Sequence, residues 1–265
     1  MNFYFSYYGR KKIGEYKLYR PHFPPNISTF VEPFCGSCAT ASYYWQENRN
    51  ADIEYHMNDF DESLINKIAH LREPDNLLRL INEYNKKIEV IPSKEDYVLE
   101  YKEHLKNPTV SGSFYFSKCR GMRDGLYPSN RKISKVDPKR YDLMNKFFKD
   151  VKLTNEDFSK ILEEYRDIED AFLYLDPPYL DSFNSGYTQY NCGSDKEDQD
   201  GTIIDNTGLF IDIMKYIKTA KCKVMMIINS NAINRYLFDG FIKATYIKQY
   251  QMTKRKCDHL IITNY

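Results

Sequence analysis

The pentapeptide Leu175-Asp176-Pro177-Pro178-Tyr179, preceded by the apolar run Ala171-Phe172-Leu173-Tyr174, decides the fold. The run predicts a buried strand, and the two prolines end that strand because they lack a backbone donor and fix φ. Asp176 is therefore expected at the carboxyl end of a strand, the edge where open α/β sheets bind ligands. A turn without function would use the same residue types, so the rest of the chain has to decide between the two interpretations.

The four residues from Asp176 to Tyr179 form a candidate catalytic site. Asp176 and the carbonyl of Pro177 can accept the two hydrogens of an amino group, and Pro178 continues the turn. Tyr179 can stack on the flat ring that carries this amino group. The geometry predicts methylation of an amino group on a nucleobase.

Length and composition bound the class of protein. The chain has 265 residues, enough for one large domain or for one domain with a substantial insertion. Its net charge is +1, so binding to nucleic acid would need a local basic patch. No apolar stretch approaches the roughly 18 residues of a membrane span, and the first residues lack the features of a signal peptide. We therefore expect an intracellular, cytoplasmic protein with reduced cysteines and no membrane partner.

Apolar runs and turn signals predict alternating strands and helices. The predicted strands are 29–32, 52–57, 150–153, 171–174, 223–228, 245–250 and 259–263, the last two as an antiparallel edge pair. The predicted helices are 39–48, one from about residue 62, 207–218 and 232–238, with a long polar loop at 181–206. Thr154 and Asp157 predict a capping box that opens a further helix to about Tyr165. This alternation favours a doubly wound α/β sheet.

A basic insertion separates the second and third predicted strands. Residues 63–106 predict helices with breaks at Pro74 and Pro92, and periodicity fades across 118–140. That span carries eight basic residues against two acidic ones, a local charge of +6. In a doubly wound fold it would project over the ligand edge, so we expect it to bind DNA. The candidate contacts are Arg120, Arg123, Arg131 and Lys132, although each one could equally be a solvated charge.

Three strand ends are expected to meet at the switch point of such a sheet. The first strand leads into the turn Phe34-Cys35-Gly36-Ser37-Cys38, where a glycine lets the backbone approach a ligand closely. The second ends at Asp59, whose carboxylate can accept both hydroxyl hydrogens of a ribose. The fourth ends at Asp176. Together they predict one cofactor site beside the catalytic acid.

In these motifs the chain resembles the Dam-type DNA adenine-N6 methyltransferases of the D12 class, particularly the small phage and viral forms. The matching segments cover most of the chain: Tyr7, Gly9 and Lys11, the cofactor loop 30–36, Asn58-Asp59, the catalytic motif 176–179 and the closing stretch 260–265. Two positions depart from the family pattern. Cys38 stands where a second glycine is common, and it is strained if that position needs a positive φ. Arg10 replaces a more usual small residue.

The resemblance implies a Rossmann-like class I S-adenosylmethionine-dependent methyltransferase sheet, formed by 1–62 and 149–265, with a mostly helical target-recognition insertion at 63–148. It implies double-stranded DNA as the partner, with a short site such as GATC, and a cognate restriction endonuclease as a further partner. The implied cofactor-binding residues are Tyr7, Lys11, Glu32, Pro33, Phe34, Cys35, Gly36, Ser37, Cys38, Asp59, Phe60 and Asp176.

Several alternatives stay open at the level of sequence. An RNA or protein-amide methyltransferase would share the cofactor loops, and a non-catalytic DNA-binding relic would keep the fold. Transfer to cytosine N4 is a minor variant, because the motif opens with Asp rather than Ser. Cys35 and Cys38 could form a redox pair or half a zinc site, but a structural zinc needs four ligands, so we expect no metal. Residues 182–190 could be a lid over the base or a linker, and the oligomeric state is open.

Overall fold

The chain divides into two compact units. A computed structural model of the protein describes Tyr4 and the ranges 11–90, 93–120, 134–179, 206–249 and 256–265. The sheet unit comprises Lys11–Glu62 and Val151–Tyr265, and the helical unit comprises Met1–Arg10 and Ser63–Asp150. The predicted division into a catalytic domain of 1–62 and 149–265 and a target-recognition insertion of 63–148 stays a prediction.

The sheet has seven strands in the described part of the chain: β1 (Thr29–Glu32), β2 (Glu54–Asn58), β3 (Lys152–Thr154), β4 (Ala171–Leu175), β5 (Lys223–Asn229), β6 (Ile242–Gln249) and β7 (Lys256–Thr263). Their order across the sheet is β3-β2-β1-β4-β5-β7-β6. The first five strands run parallel to one another, while β7 runs antiparallel between β5 and β6. From β1 the sheet extends through β2 to β3 on one side. On the other side it extends through β4 and β5 to β7 and β6. This topology confirms the predicted Rossmann-like α/β fold.

The helices, in chain order, are α1 (Ile13–Tyr19), α2 (Ala39–Glu47), α3 (Glu62–Leu71), α4 (Pro74–Lys87), α5 (Lys94–Lys106), α6 (Val110–Arg120), α7 (Asp142–Phe148), α8 (Phe158–Tyr165), α9 (Thr207–Thr219) and α10 (Ala232–Leu237). Short 3-10 helices occupy Arg20–His22 and Pro138–Tyr141. Helices α3 to α7 form the helical unit, and the others flank the sheet.

Both faces of β4 are covered, which explains its uninterrupted apolar sequence. On one face Leu173 and Leu175 join a core that includes residues of α8 and α9. On the other face Phe172 meets an aromatic layer, with its ring centroid 4.9 Å from that of Phe23. Because side chains pack closely on both sides, β4 presents the following residue, Asp176, from a fixed position.

The start of α8 corrects one predicted detail. The predicted capping box opened this helix at Thr154, but Thr154 is the last residue of β3. Asp157 is itself the N-cap, and its side chain accepts a hydrogen bond from the backbone N–H of Ser159 at 2.9 Å. The Thr154 hydroxyl instead donates to the side-chain carbonyl of Asn58 at 2.8 Å, so the later acid caps the helix.

The helical unit has an aromatic interior of its own. The rings of Tyr84 and Phe114 meet edge to face with centroids 5.7 Å apart, and Tyr4 stacks on Phe148 at 5.7 Å. The ammonium of Lys118 lies 4.9 Å from the ring centroid of Phe114, a cation–π contact near the end of α6. These contacts give the unit a hydrophobic core separate from the sheet.

The predicted helices between residues 63 and 106 are confirmed. Pro74 is the first residue of α4, and the hydroxyl oxygen of Ser93, the N-cap of α5, accepts a hydrogen bond from the backbone N–H of Asp96 at 3.0 Å. The sequence pattern does not predict α6. Among the described residues, no helix is both long and apolar enough to cross a membrane.

Candidate active site

The carboxyl ends of β2, β1 and β4 lie side by side, because these parallel strands are neighbours in the sheet. The β1 loop (33–38) follows β1, Asp59 follows β2 and Asp176 follows β4. The fold therefore brings the three segments that were expected to share one ligand to the same edge of the sheet.

The carboxylate of Asp176 is accessible but oriented. Its side chain keeps 22% of its surface exposed, whereas Leu175 and Pro177 on either side are buried. The ammonium of Lys11 donates a hydrogen bond to Oδ1 of Asp176 at 2.9 Å. A charge-assisted bond of this length fixes the direction of the carboxylate.

Lys11 is 3% exposed and also lies 3.6 Å from Oε1 of Glu15. Burial by itself lowers the pKa of Lys11, but the neighbouring Asp176, Tyr179 and Glu15 outweigh it, and this pKa lies well above its usual value. Lys11 is therefore a buried cation beside Asp176, the predicted catalytic acid. Its predicted contact with the cofactor stays a prediction.

Tyr179, the last residue of the predicted catalytic motif, stands edge-on to His259 of β7. Their ring centroids are 5.6 Å apart with an angle of 75° between the planes. His259 also contacts Tyr246 of β6, with ring centroids 5.4 Å apart. Burial lowers the pKa of His259 to about 3. An uncharged His259 ring therefore packs against the ring of Tyr179 near neutral pH.

Glu32, the last residue of β1, reaches the start of α2. Its Oε1 accepts a hydrogen bond from the backbone N–H of Ala41 at 2.9 Å, and the residue is 2% exposed. Burial raises the pKa of Glu32 well above its usual value, while the Ala41 N–H acts in the opposite direction. Glu32 therefore satisfies a helix N-terminus, and its predicted role at the cofactor stays a prediction.

Two residues of the β1 loop have a left-handed backbone: Gly36 with φ 48° and Cys38 with φ 55°. The loop is tied to the end of β2, because the N–H of Gly36 donates to Oδ2 of Asp59 at 2.8 Å. The N–H of Cys35 also donates to the carbonyl of Asn58 at 2.8 Å. Cys38 thus occupies the conformation in which a non-glycine residue is strained.

The positive φ of Cys38 predicts an unusual order of stability between two variants. An L-residue in the left-handed region costs about 1–2 kcal/mol, which glycine avoids. Cys38→Ala and Cys38→Gly both remove the buried thiol, so that loss cancels between them. We expect Cys38→Gly to resist urea better than Cys38→Ala by about 1 kcal/mol.

The matched control for this comparison is Lys215, which lies in the exposed middle of α9. There the alanine variant should be the more stable one, because glycine is a poor helix former. An alanine variant that is the more stable one at position 38 as well would contradict the assigned strain.

The thiols of Cys35 and Cys38 are buried and not in a disulfide. Burial raises the pKa of Cys35 well above its usual value and also raises that of Cys38. Both are therefore protonated near neutral pH, unlike the thiolate of a redox-active pair. No cluster of three or more side chains suited to a metal ion occurs in the described ranges.

Comparison with known proteins connects this geometry to a family. The family model of the D12 class N6 adenine-specific DNA methyltransferases matches residues 17–124 and 125–254. The chain belongs to this family. The predicted enzyme class is thereby confirmed, and with it the dependence of the class on S-adenosylmethionine.

Two relatives agree with this membership. The type II methyltransferase M.CviBI of Paramecium bursaria Chlorella virus NC1A is 26% identical over 271 residues, which cover 96% of each chain. The type II methyltransferase M.MjaIII of Methanocaldococcus jannaschii is 29% identical over 202 residues, 65% of this chain and 67% of its own. Among solved structures, the rRNA methyltransferase AviRa of Streptomyces viridochromogenes matches 97% of this chain and 86% of its own, with 10% identity and a TM-score of 0.45.

The sheet edge of this D12-class methyltransferase offers groups that fit S-adenosylmethionine. The two oxygens of Asp59 accept hydrogen bonds from the N–H groups of Gly36 and Asp61 at 2.8 and 3.0 Å, which hold the carboxylate still. Each oxygen keeps a further lone pair for a ribose hydroxyl. Burial raises the pKa of Asp59 to about 6, with those two N–H groups acting in the opposite direction. The partly exposed carboxylate of Asp176 on the same edge suits a cationic sulfonium.

The remaining cofactor candidates lie along the same edge. The carbonyl of Pro33 accepts a hydrogen bond from the Asn58 side chain at 3.0 Å, and Phe34 stacks on Phe158 with centroids 5.3 Å apart. Ser37 is half-buried, and Phe60 is 51% exposed. Four predicted site residues and the predicted lid lie outside the described residues: Tyr7, Arg123, Arg131, Lys132 and 182–190. Arg120 ends α6, and its side chain is likewise outside them.

Three residues around Lys11 are not predicted from the sequence: Glu15, Tyr246 and Lys248. Tyr246 and Lys248 alternate along β6 and so share one face of that strand. Both bond to Oε1 of Glu15, at 2.9 and 3.0 Å. The spacing of four between Lys11 and Glu15 is typical of a pair on one helix face. The contacts of this pair with residues of β6 become apparent only in the folded structure.

Proposed function

We propose that this methyltransferase transfers a methyl group from S-adenosylmethionine to N6 of an adenine flipped out of duplex DNA, within a short site such as GATC. The observation that carries the proposal is the partly exposed carboxylate of Asp176, which follows β4 and is hydrogen-bonded to the buried ammonium of Lys11. Membership of the D12 class supports the adenine acceptor.

In this mechanism the chain mainly aligns the reactants. Asp176 and the carbonyl of Pro177 accept the two N6 hydrogens and direct the nitrogen lone pair out of the base plane. Stacking on Tyr179 offsets part of the few kcal/mol that flipping the base costs. S-adenosylmethionine, when bound, supplies an electrophilic methyl group. Good alignment then accounts for about 7–11 kcal/mol of barrier lowering.

The helical unit is the proposed target-recognition domain. Its sequence includes the span 118–140, with eight basic residues against two acidic ones. Lys and Arg neutralise phosphates, and Arg can also read guanine with two hydrogen bonds. Arg120, Arg123, Arg131 and Lys132 are the proposed DNA contacts.

Nucleoside analysis tests the proposed reaction. Purified protein is incubated with methyl-labelled S-adenosylmethionine and either unmethylated duplex DNA or RNA, and the product is digested to nucleosides. We expect the label in N6-methyladenine from DNA. Label in N4-methylcytosine, or label in RNA with none in DNA, would overturn the proposal.

The proposed role of Asp59 predicts that cofactor affinity depends on pH. The ionised carboxylate accepts both ribose hydroxyls, and burial raises the pKa of Asp59 to about 6. Protonation below that pH removes one acceptor, so affinity for S-adenosylmethionine should be constant above pH 7. Below pH 6 it should fall by up to about tenfold per pH unit.

Calorimetric titration with S-adenosylmethionine between pH 5 and 8 measures this dependence. Asp59→Asn carries no titrating group, so its affinity should be lower and nearly independent of pH over the same range. This variant also separates Asp59 from Glu32, whose pKa is raised as well. A wild-type affinity that stays constant down to pH 5 would contradict the assigned role.

We also propose a cytoplasmic setting, in which a restriction endonuclease cuts the same site. Two type II methyltransferases among the relatives support this setting. DNA methylated by this protein should then resist the endonuclease that reads its site.

A further inference from the structure

A chain of four alternating charges extends from the catalytic acid into the sheet unit. Asp176 accepts from Lys11 at 2.9 Å, and Lys11 lies 3.6 Å from Glu15. Lys248 contacts the same oxygen of Glu15 at 3.0 Å, and the Tyr246 hydroxyl donates to it at 2.9 Å. The segment after β4, helix α1 and strand β6 therefore meet through their charges.

The three charges behind Asp176 are all more shielded from solvent than Asp176 itself. The side chain of Asp176 is 22% exposed, against 4% for Lys11, 11% for Glu15 and 13% for Lys248. Buried ion pairs seldom add net stability, because the loss of hydration offsets their attraction. A geometric role is therefore the better explanation for a buried network that ends on a catalytic group.

The electrostatics keep the central pair ionised. Burial raises the pKa of Glu15, but Lys11 and Lys248 outweigh it, and the net shift is downward. The pKa of Lys11 lies well above its usual value, because its acidic neighbours outweigh burial. Burial and Lys11 lower the pKa of Lys248, with Glu15 acting in the opposite direction. Other titratable groups around Lys11 are Tyr19 on α1, Glu32 at the end of β1, Tyr174 on β4 and Tyr179 just after it, Tyr246 on β6 and His259 on β7.

We propose that Glu15 and Lys248 are positioning residues for methyl transfer: they hold the Lys11 ammonium against Oδ1 of Asp176 and so orient the carboxylate toward the amino group. This inference rests on the proposed function of Asp176. Lys248 and Tyr246 fix the carboxylate of Glu15, and Glu15 in turn limits where the flexible Lys11 side chain can place its charge. Neither residue touches the reacting atoms.

A positioning role predicts a change in the chemical step and not in binding. Glu15→Gln keeps the shape of the side chain and an acceptor for the Tyr246 hydroxyl, but it removes the charge that steadies Lys11. We expect the single-turnover rate at saturating DNA and S-adenosylmethionine to fall by about tenfold or more. Both dissociation constants should stay within about threefold of wild type. Lys248→Met tests the same network from β6, with the same expected result.

Glu47→Gln is the matched control. Its carboxylate also receives a tyrosine hydroxyl and a cation on one oxygen, from Tyr16 at 2.9 Å and Arg20 at 2.7 Å. None of these three residues belongs to the charge chain, so Glu47→Gln should methylate at the wild-type rate. A comparable loss of single-turnover rate in Glu47→Gln would mean that the loss in Glu15→Gln reflects general destabilisation, and it would overturn the inference.

The ammonium of Lys11 gives a readout that does not need activity. Its nitrogen NMR signal, followed against pH, should titrate at a lower pH in Glu15→Gln than in wild type, because a stabilising negative charge has been removed. An active wild type with an unchanged rate in both variants would overturn the inference and leave the proposed function intact. A wild-type protein that methylates no adenine would overturn the proposed function. In that case the Lys11 titration still tests the inference: the same titration in Glu15→Gln as in wild type would overturn it.

Discussion

Asp176→Asn is expected to lower the rate of adenine methylation by at least about a thousandfold. The substitution keeps the shape of the side chain, but it removes the charge and replaces one acceptor oxygen with a donor that opposes the N6 hydrogens. It also removes the charge partner of Lys11, whose ammonium lies 2.9 Å from Oδ1 in the wild type. The alignment of the amino group is therefore lost while the backbone of the motif stays in place.

Single-turnover kinetics with saturating DNA measure this loss, and binding of S-adenosylmethionine should be only weakened. Asp170→Asn is the matched control, since Asp170 is exposed and directly precedes the same strand, β4. It should methylate at the wild-type rate. An Asp176→Asn variant that keeps more than about a tenth of the wild-type rate would exclude the assigned role.

Asn58→Ala is expected to have the largest effect on stability, a loss of about 3–5 kcal/mol. Asn58 is 0% exposed. Its amide nitrogen donates to the carbonyls of Pro33 and Glu156, both at 3.0 Å. Its oxygen accepts from the Thr154 hydroxyl at 2.8 Å and from the N–H of Glu156 at 2.9 Å. Alanine would leave several buried polar groups unsatisfied at once, between the β1 loop and β3.

Urea denaturation followed by circular dichroism measures this loss. The control is Asn50→Ala, at an exposed position just before β2, which should change stability by less than about 0.5 kcal/mol. Because Asn58 ties the β1 loop to the sheet, its variant should also bind S-adenosylmethionine more weakly. A loss below about 1 kcal/mol would show that the loop is held by other contacts.

Local signals in the sequence suffice for the strands of the sheet and for the position of Asp176 directly after β4. The apolar run of β4 ends at two prolines, and both features are visible within nine residues. The antiparallel pair β6 and β7 is also predicted, although each strand begins three residues earlier than expected. Strand ends depend on partners across the sheet, which a local pattern does not contain.

Helices α1, α6 and α7 escape prediction, and in the first two the pattern of buried residues contradicts the usual helical period. In α1 the aliphatic Ile13 and Leu18 are about half exposed, while Tyr16 and Tyr19 are fully buried. The buried hydroxyl of Tyr19 is hydrogen-bonded with Thr40 at 2.9 Å, which makes a tyrosine acceptable inside. In α6 the consecutive residues 114–116 are all buried, so a helical period is absent.

The electrostatic part of the site is the least predictable from sequence. Tyr246 and Glu15 are 231 positions apart, yet they share a hydrogen bond next to Lys11, the partner of Asp176. No local pattern joins α1 to β6, because their contact depends on the complete sheet. Cys38 is an intermediate case: the sequence indicates that a positive φ would be strained there, and only the backbone gives the φ of 55°.

The most direct test of the central claim is a structure of the protein with a non-reactive S-adenosylmethionine analogue and unmethylated duplex DNA that contains the site the protein methylates. The claim is that one sheet edge holds cofactor and target base together. We predict the ribose hydroxyls within hydrogen-bonding distance of Asp59 and N6 of a flipped adenine within hydrogen-bonding distance of Asp176 and the Pro177 carbonyl. An adenine that stays stacked in the duplex, or a base seated away from Asp176, would contradict the account.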